Sequence, residues 1–144
     1  MSSSQSGVFH MPRISPSKTE FDALKDHVDT IGANIMSEVT ATTAIASGSR
    51  IVTQITVPPG KWLVIGTITW ASTVTNIRGV FISLSSTALE YPGSQVCVGS
   101  TGGRPRGSVE RYVVAEQSTI CYLFNWSDAN TTIDYARIEA VRIV

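Results

Sequence analysis

From residue 39 onward the sequence is a succession of short runs rich in Val, Ile and Thr, separated by Gly, Pro, Asn and Ser. The runs favour strands and the separating residues favour turns, which is typical of an antiparallel sandwich or jelly roll. The predicted strands are residues 39–45, 50–57, 61–71, 78–85, 94–99, 109–115, 119–126 and 132–144. Eight is the strand number of a jelly roll. We therefore predict a mainly β protein whose residues 39–144 form an eight-stranded antiparallel jelly-roll sandwich, the head.

The predicted strand KWLVIGTITWA, residues 61–71, is apolar on both of its faces. Side chains alternate between the two faces of a strand. One face carries Trp62, Val64, Ile68 and Trp70, and the other carries Leu63, Ile65, Thr67, Thr69 and Ala71. This pattern predicts that the strand has neighbours beyond its own sandwich.

The segment before the head has the pattern of a helix. The sequence SKTE matches a capping box, in which Ser17 and Glu20 each satisfy the other's backbone amide. Apolar residues then recur at the a and d positions of a heptad: Phe21, Leu24, Val28, Ile31 and Ile35. Two apolar positions in seven fit a seam between helices. We therefore predict that residues 17–38 form a coiled-coil stem.

The residues of this seam indicate the number of copies. β-branched residues at both a and d favour three helices over two, so we predict a parallel homotrimer. An amphipathic helix lying on its own head is the alternative that so short a pattern also allows. Because a short coiled coil is marginal alone, the heads are expected to help hold the copies together.

Residues 1–16 are rich in Ser and contain two prolines, so we predict a flexible or extended tail. The tail lacks the basic start and apolar stretch of a secretory signal, and no apolar run approaches the ~20 residues needed to span a bilayer. We therefore expect a soluble chain without membrane insertion. The formal net charge is zero, from 11 basic and 11 acidic residues, which argues against nucleic acid as a partner.

Cysteine and histidine give little sign of a metal or a cofactor. Cys97 and Cys121 both lie in apolar, strand-like sequence, where a free cysteine behaves as a small buried hydrophobe. A disulfide between them is the alternative. His10 and His27 lie in the tail and on the helix, away from any closely spaced ligand pair. We predict no metal and no cofactor.

The predicted head also lacks a recognisable catalytic set. Its acidic residues include Glu90, Glu110, Glu116, Asp128 and Asp134, and a glycosidase needs two carboxylates ~5 to 9.5 Å apart. A β protein of this size commonly has this many acids. No His lies in the head to serve as a base for a Ser or Cys nucleophile. The glycines of GSTGGRPRGS lack the Lys-Ser/Thr of a phosphate loop. We therefore predict that the protein is not an enzyme.

A coiled-coil stem joined to a compact β head resembles the trimeric tip domains of bacteriophage tail or head fibres, which are C1q/TNF-like jelly rolls. The residues that carry the resemblance are ITVPPGKWLVIGTITW, of the form V-x-x-G-x-aromatic, and the closing strand YARIEAVRIV. The resemblance implies a virion protein made in the host cytoplasm without a signal peptide. It implies a homotrimer that binds a host cell-surface receptor, commonly a saccharide although a protein receptor is also possible. The N-terminal tail would then join another virion protein.

Alternating strands place the turns at two opposite ends of the head. Residues 47–49, 73–76, 100–108 and 127–130 would lie far from the stem, and residues 58–60, 87–93 and 116–118 near it. Because loops on a rigid scaffold commonly carry binding sites, the candidate ligand-binding residues are Arg104, Arg106, Trp126, Asp128 and Asn130. The competing interpretation is that both arginines are solvated surface charges and that Trp126 is the buried end of its strand.

Two other functions fit the same sequence. One is a trimeric structural or decoration protein, or a bacterial C1q-like adhesin, with no dedicated sugar site. The other is a small glycan-degrading enzyme. A glycan array separates a receptor-binding tip from a structural protein, and turnover of a bacterial surface polysaccharide would indicate the enzyme.

The predicted seam is tested by replacing Ile31 with Asp. The substitution would bring three carboxylates together in one layer of the stem. We therefore expect a larger dissociation constant, so that the variant trimer dissociates at protein concentrations at which the unmodified trimer stays assembled. Sedimentation equilibrium measures the change. An unaltered association constant would exclude Ile31 from a trimer seam.

Overall fold

The computed structural model describes residues 17–30, 34–71, 77–87, 95–98 and 105–143. The chain divides into two compact units, Met1–Ile31 and Gly32–Val144. The first contains the helix α1, Lys18–Thr30. The second contains all of the strands among the described residues.

The start of α1 has the predicted capping box. The backbone amide of Glu20 donates to Ser17 Oγ at 3.2 Å, and the amide of Ser17 donates to Glu20 Oε1 at 3.4 Å. The backbone amide of Phe21 donates to the Ser17 carbonyl at 2.8 Å. The two bonds between Ser17 and Glu20 satisfy amides that the first turn of a helix otherwise leaves without partners, and the bond from Phe21 is the first of the regular helical bonds.

The predicted seam lies only partly within the described residues. Phe21 and Leu24 lie on α1, and their side chains are 54% and 57% exposed. Val28 also lies on α1, although its side chain is outside the description, and Ile31 lies outside the described residues. A seam through these four positions stays a prediction.

The helix is shorter than the sequence predicted. It ends at Thr30, and residues 34–38 of the predicted stem belong to the strand β1. Ile35, predicted at position a of the seam, pairs with Ala140 and packs against the core of the sandwich. Its assignment to a helical seam is therefore wrong. Exposure along this segment alternates with a period of two, and pairing in the sheet partly buries Ile35 while satisfying its backbone groups.

Nine strands lie within the described residues, and seven of the eight predicted strands correspond to one observed strand each, with ends within three residues. They are β1 Asn34–Val39, β2 Thr43–Ile45, β3 Gly48–Val57, β4 Gly60–Trp70, β5 Ile77–Ser83, β6 Gln95–Val98, β7 Arg106–Ala115, β8 Thr119–Ser127 and β9 Thr131–Arg142. The predicted strand 39–45 covers only the last residue of β1 together with β2. Both of these strands pair antiparallel with β9, so the break between them does not change the direction of the chain.

The strands form two antiparallel sheets. The first sheet has the order β1, β9, β4, β7, with β2 also paired to β9, and the second has the order β3, β8, β5, β6. Early strands pair with late ones in a nested series: β1 and β2 with β9, β3 with β8, β4 with β7, and β5 with β6. This nesting is the winding of a jelly-roll-like sandwich. The prediction of a mainly β, antiparallel head is confirmed.

The core lies between the two sheets, and β4 contributes its largest side chains. Trp62, Val64, Ile68 and Trp70 are buried, as the alternation in the sequence predicted. The opposite face of β4 is half-buried in the single chain, and it carries Leu63, Ile65, Thr67 and Thr69.

The turn between β3 and β4 gives the ITVPPGKW motif a structural role. The indole N–H of Trp62 donates to the Pro58 carbonyl at 2.9 Å. The Arg142 guanidinium lies 5.3 Å from the centroid of the Trp62 ring and donates to the Pro59 carbonyl at 3.2 Å. Gly60 has φ +149°, and a Cβ there would lie 3.0 Å from Arg142 Nη2. The glycine and the aromatic of this motif therefore build a corner of the sandwich.

Cys121 is a buried, free core residue, as predicted. Burial raises the pKa of its thiol to about 11, although the charge of Arg111 opposes the shift. Cys97 pairs with Arg78, which in turn pairs with Ser127. Cys121 lies six residues from Ser127 along β8, which is about 20 Å at the usual strand rise. A disulfide needs Cα atoms roughly 4.4–6.8 Å apart, so strand register excludes the Cys97–Cys121 alternative.

Packing between the sheets is tested by replacing Gly66 of β4 with Ala. A Cβ at Gly66 would lie 2.5 Å from Leu123 Cδ1 and 3.3 Å from Ile82 Cγ1. Overpacking should lower the free energy of unfolding by about 1–3 kcal/mol, measured by urea denaturation. Thr67→Ser, at the next residue on the outer face, is the matched control and should change stability by less than ~0.5 kcal/mol. Equal stability of the two variants would contradict the packing described here.

Candidate functional site

Strand pairing gives the head two distinct ends. The chain enters the sandwich at Asn34, which pairs with Val141, and at the same end Gly60 pairs with Ala115. We call this the entry end. The strand ends that meet at the opposite end, the loop end, are joined by residues 46–47, 71–76, 99–105 and 128–130. These are the four connections that the alternation of predicted strands placed far from the stem.

The turn between β8 and β9 is tied to its neighbours by two hydrogen bonds. The backbone amide of Asp128 donates to the Ile77 carbonyl at 3.1 Å. The backbone amide of Ser47 donates to Asn130 Oδ1 at 3.1 Å. Asp128 and Asn130 are exposed. The turn is therefore anchored to both the β2–β3 and β5 segments while two polar side chains stay accessible to solvent.

Trp126 faces outward from the second sheet. It shares the outer face of β8 with Tyr122 and Phe124. Phe124 stacks on Phe81 of β5, with ring centroids 4.9 Å apart and planes 2° from parallel. Trp126 packs beside this pair and is half-buried. Part of its indole surface is therefore available at the loop end, and the ring is not a member of the core between the sheets.

Arg106 and Trp126 lie on different sheets of the same protomer. Arg106 is the first residue of β7, is exposed, and pairs with Thr69 on the outer side of the first sheet. Trp126 lies on the outer side of the second sheet. Arg104 lies outside the described residues. At the loop end, Trp126 thus lies on the outer side of the second sheet and Arg106 on the outer side of the first, and Asp128 and Asn130 lie in the turn that joins β8 to β9.

A buried polar cluster beneath the loop end was not foreseen from the sequence. The indole N–H of Trp70 donates to Asn125 Oδ1 at 2.8 Å, and Asn125 Nδ2 donates to Ser127 Oγ at 3.5 Å. The guanidinium of Arg78 lies 5.2 Å from the centroid of the Trp70 ring. All four residues are essentially buried. Because side chains alternate between the two faces of a strand, Arg78 shares a face of β5 with the buried Val80. This two-residue spacing is the sequence signal from which the burial of Arg78 could have been predicted.

Two of the acidic residues considered for catalysis, Glu116 and Asp128, lie at opposite ends of the head. Glu116 follows β7 at the entry end, and Asp128 follows β8 at the loop end. The nine residues of β8 separate them, a distance of roughly 30 Å at the usual rise, which is too far for a glycosidase pair. Glu110 lies on the outer face of the first sheet opposite Ile65. Glu90 lies outside the described residues.

Within the described parts of the chain, no group of three or more His, Cys, Asp or Glu side chains is placed to hold a metal ion. Over the same residues, no helix has the length and apolar character needed to cross a membrane.

Comparisons with known proteins identify no family for this chain. No family model matches it, and no curated protein matches it. The VP2 subviral particle of infectious bursal disease virus is similar over 76% of this chain and 33% of its own, with a TM-score of 0.49 and 6% identity. A protein of Bacillus endospore appendages, described as disulfide-linked pili, is similar over 78% of this chain and 91% of its own, with a TM-score of 0.47 and 12% identity. The chain spans about a third of the VP2 chain, and similarities this distant assign no activity to it.

The role of Asn130 in the turn is tested by two substitutions. Asn130→Ala removes the acceptor of the Ser47 amide, so the free energy of unfolding should fall by about 1 kcal/mol. Asn130→Asp keeps an acceptor at this position, so its free energy of unfolding should fall by less than that of Asn130→Ala. Thermal and urea denaturation measure both variants. Equal losses in the two would show that the side-chain oxygen does not anchor the turn.

Proposed function

We propose that this chain is a trimeric, non-enzymatic tip of a bacteriophage fibre, and that its loop end attaches the virion to a host cell surface. The observation that carries the proposal is the position of the candidate residues. Trp126, Asp128 and Asn130 lie at the end of the sandwich opposite the point where the chain enters. A protein tethered at its entry end presents that opposite end to whatever it meets.

The exposed apolar side chains of α1 support assembly into a trimer. Phe21 and Leu24 leave more than half of their surfaces in contact with solvent in the single chain. A helix of 13 residues is marginally stable alone in water. Association of three copies through Phe21, Leu24, Val28 and Ile31 would bury this stripe. The tail, residues 1–16, would then connect the stem to another virion protein.

The side chains at the loop end suit a saccharide. The open face of Trp126 offers a stacking surface for a sugar ring, and the Asp128 carboxylate accepts hydrogen bonds from hydroxyl groups. Asn130 uses its oxygen for the Ser47 amide, which leaves its amide nitrogen as a donor. These contacts would give weak binding at one site, and three sites presented together would raise the avidity by ~10² to 10⁴ where the ligand spacing matches.

The arginines would enter the site from a neighbouring copy. Arg106 and Trp126 lie on the outer sides of different sheets, so a site containing both would combine Trp126 of one protomer with Arg106 of the next. An arginine in such a cleft can bind an acidic substituent of a saccharide through two parallel hydrogen bonds. Arg104 is proposed for the same role.

Alanine substitutions at the loop end test this proposal. Asp128→Ala and Arg106→Ala, made separately, should each reduce binding to a glycan array, or adsorption to host cells, at least tenfold with unchanged melting temperature and oligomer mass. Gln117→Ala, in the exposed turn at the entry end, is the matched control and should bind like the unmodified protein.

Each of the other outcomes would support a different binding site or a different function. Unimpaired binding in both variants would move the site to the turn near Glu90 and Tyr91. An array on which the unmodified protein binds no glycan, together with normal assembly, would favour a structural or decoration protein. Turnover of a polysaccharide would indicate an enzyme.

A further inference from the structure

We infer that the saccharide of the loop-end site is a chain of sugars, and that this chain continues from Trp126 along the outer face of the second sheet. The inference rests on the function proposed above and names the class of ligand for the same site. We call the surface that the chain would follow the aromatic stripe. It consists of Ile51, Gln54, Ile120, Tyr122, Phe124 and Trp126.

The aromatic stripe is continuous across β8 and the edge strand β3. Its members on β8 alternate with inward-facing residues, so their side chains share one face of the strand. Ile51 lies directly opposite Phe124, and Gln54 lies directly opposite Tyr122. Residues directly opposite in an antiparallel pair point to the same face. The side chains of the stripe therefore form one surface on the outer side of the second sheet.

The middle of the stripe is packed, and its flanks are open to solvent. Phe124 is buried, and the ring of Tyr122 is tilted by 55° against it with the ring centroids 6.3 Å apart. Ile51 and Ile120 are exposed, and Tyr122 and Trp126 are half-buried. Single exposed hydrophobic residues are ordinary on protein surfaces, whereas a contiguous group marks an interaction surface.

The spacing of the two accessible aromatic rings sets a minimum length for the ligand. Trp126 and Tyr122 lie four residues apart on β8, which is about 13 Å at the usual strand rise. One sugar ring is shorter than this span, so a single sugar cannot stack on both residues. A chain of linked sugars can reach both, and the exposed amide of Gln54 offers it a donor and an acceptor beside Tyr122.

The outer faces of the two sheets differ in charge. Over the described residues, the outer face of the second sheet carries no Asp, Glu, Lys, Arg or His side chain. The outer face of the first sheet carries Glu110, Arg137 and Glu139. A charged sugar on the stripe would lose hydration without gaining an opposite charge. The part of the chain that lies on the stripe is therefore neutral, and an acidic substituent belongs at the loop end, where the arginines are proposed to act.

The size of the stripe favours a saccharide over a protein partner. At the usual strand rise and spacing, the stretch of β8 from Ile120 to Trp126 together with β3 is roughly 20 Å long and about 10 Å wide. This area is about a quarter of the ~800 Å² that each partner buries in a stable protein complex. The stripe also includes Trp126 of the proposed site, so a ligand bound at the loop end reaches it without a gap.

A glycan array that carries both lengths of each glycan tests the inference on the full chain. The array holds the disaccharide and the hexasaccharide of several neutral repeats and of several repeats that contain uronic acid. The unmodified protein should bind a neutral hexasaccharide at least tenfold more tightly than its disaccharide. A uronic-acid hexasaccharide should gain less than threefold over its disaccharide, because its carboxylates would lie on the uncharged stripe. Equal gains for neutral and acidic chains, or no gain for either, would overturn the inference.

Substitutions on the stripe locate the effect of length. Tyr122→Ala should reduce the gain of the neutral hexasaccharide to below threefold and leave the affinity for the disaccharide unchanged, whereas Tyr122→Phe, which keeps the ring, should retain the gain. Gln54→Ala should weaken hexasaccharide binding at least threefold. Gln117→Ala, which also replaces an exposed glutamine, is the matched control and should bind both lengths like the unmodified protein.

The failure of this inference differs from the failure of the proposed function. If Asp128→Ala weakens the binding of both lengths and Tyr122→Ala leaves the gain unchanged, the loop-end site stands and the chain does not follow the stripe. An unmodified protein that binds no glycan of either length would overturn both. If Tyr122→Ala fails to fold by circular dichroism, Gln54→Ala on the edge strand decides, and hexasaccharide binding equal to that of Gln117→Ala would overturn the inference.

Discussion

The packing of the inner face of β4 against the second sheet is the constraint on which the rest of the head depends. Its two tryptophans lie at opposite ends of the core, and each indole N–H is satisfied by a different part of the chain. Trp62 donates to the Pro58 carbonyl at the entry end, and Trp70 donates to Asn125 of the second sheet near the loop end. An arginine lies against each ring, Arg142 against Trp62 and Arg78 against Trp70. The strand β4 therefore contributes both to the corner of the sandwich at the entry end and to the buried polar cluster beneath the loop end.

Most of the fold could be predicted because strand periodicity is a local property. The alternation of KWLVIGTITWA gave the correct inner face of β4, and the turn residues gave the ends of seven strands. The error at Ile35 arose because the position satisfies two patterns at once: it continues the heptad from Phe21, and it is also an inward position of β1. Pairing with β9, more than one hundred residues away in sequence, decided between these patterns. A local pattern does not contain that information.

The candidate site could be predicted only in part, for a related reason. Strand alternation was enough to place Trp126, Asp128 and Asn130 at the end opposite chain entry. It could not show that Asn130 holds the Ser47 amide, or that Arg106 lies on the other sheet from Trp126, because both depend on how the two sheets are stacked. The buried Arg78 was missed because charged residues are rarely expected in a core and because burial along β5 does not alternate: every residue after Ile77 is buried. The separation of Arg106 from Trp126 now ties the proposed ligand site to assembly, because only a neighbouring copy could bring the two together.

The mass of the full chain in solution is the most direct test, because the proposed ligand site combines residues of neighbouring copies in a trimer. Static light scattering at micromolar concentration, at neutral pH and moderate salt, gives that mass without immobilisation or labelling. A homotrimer gives a single species of three times the 15.5 kDa chain mass, which is the expected result. A species of one chain mass across the concentration range would contradict it.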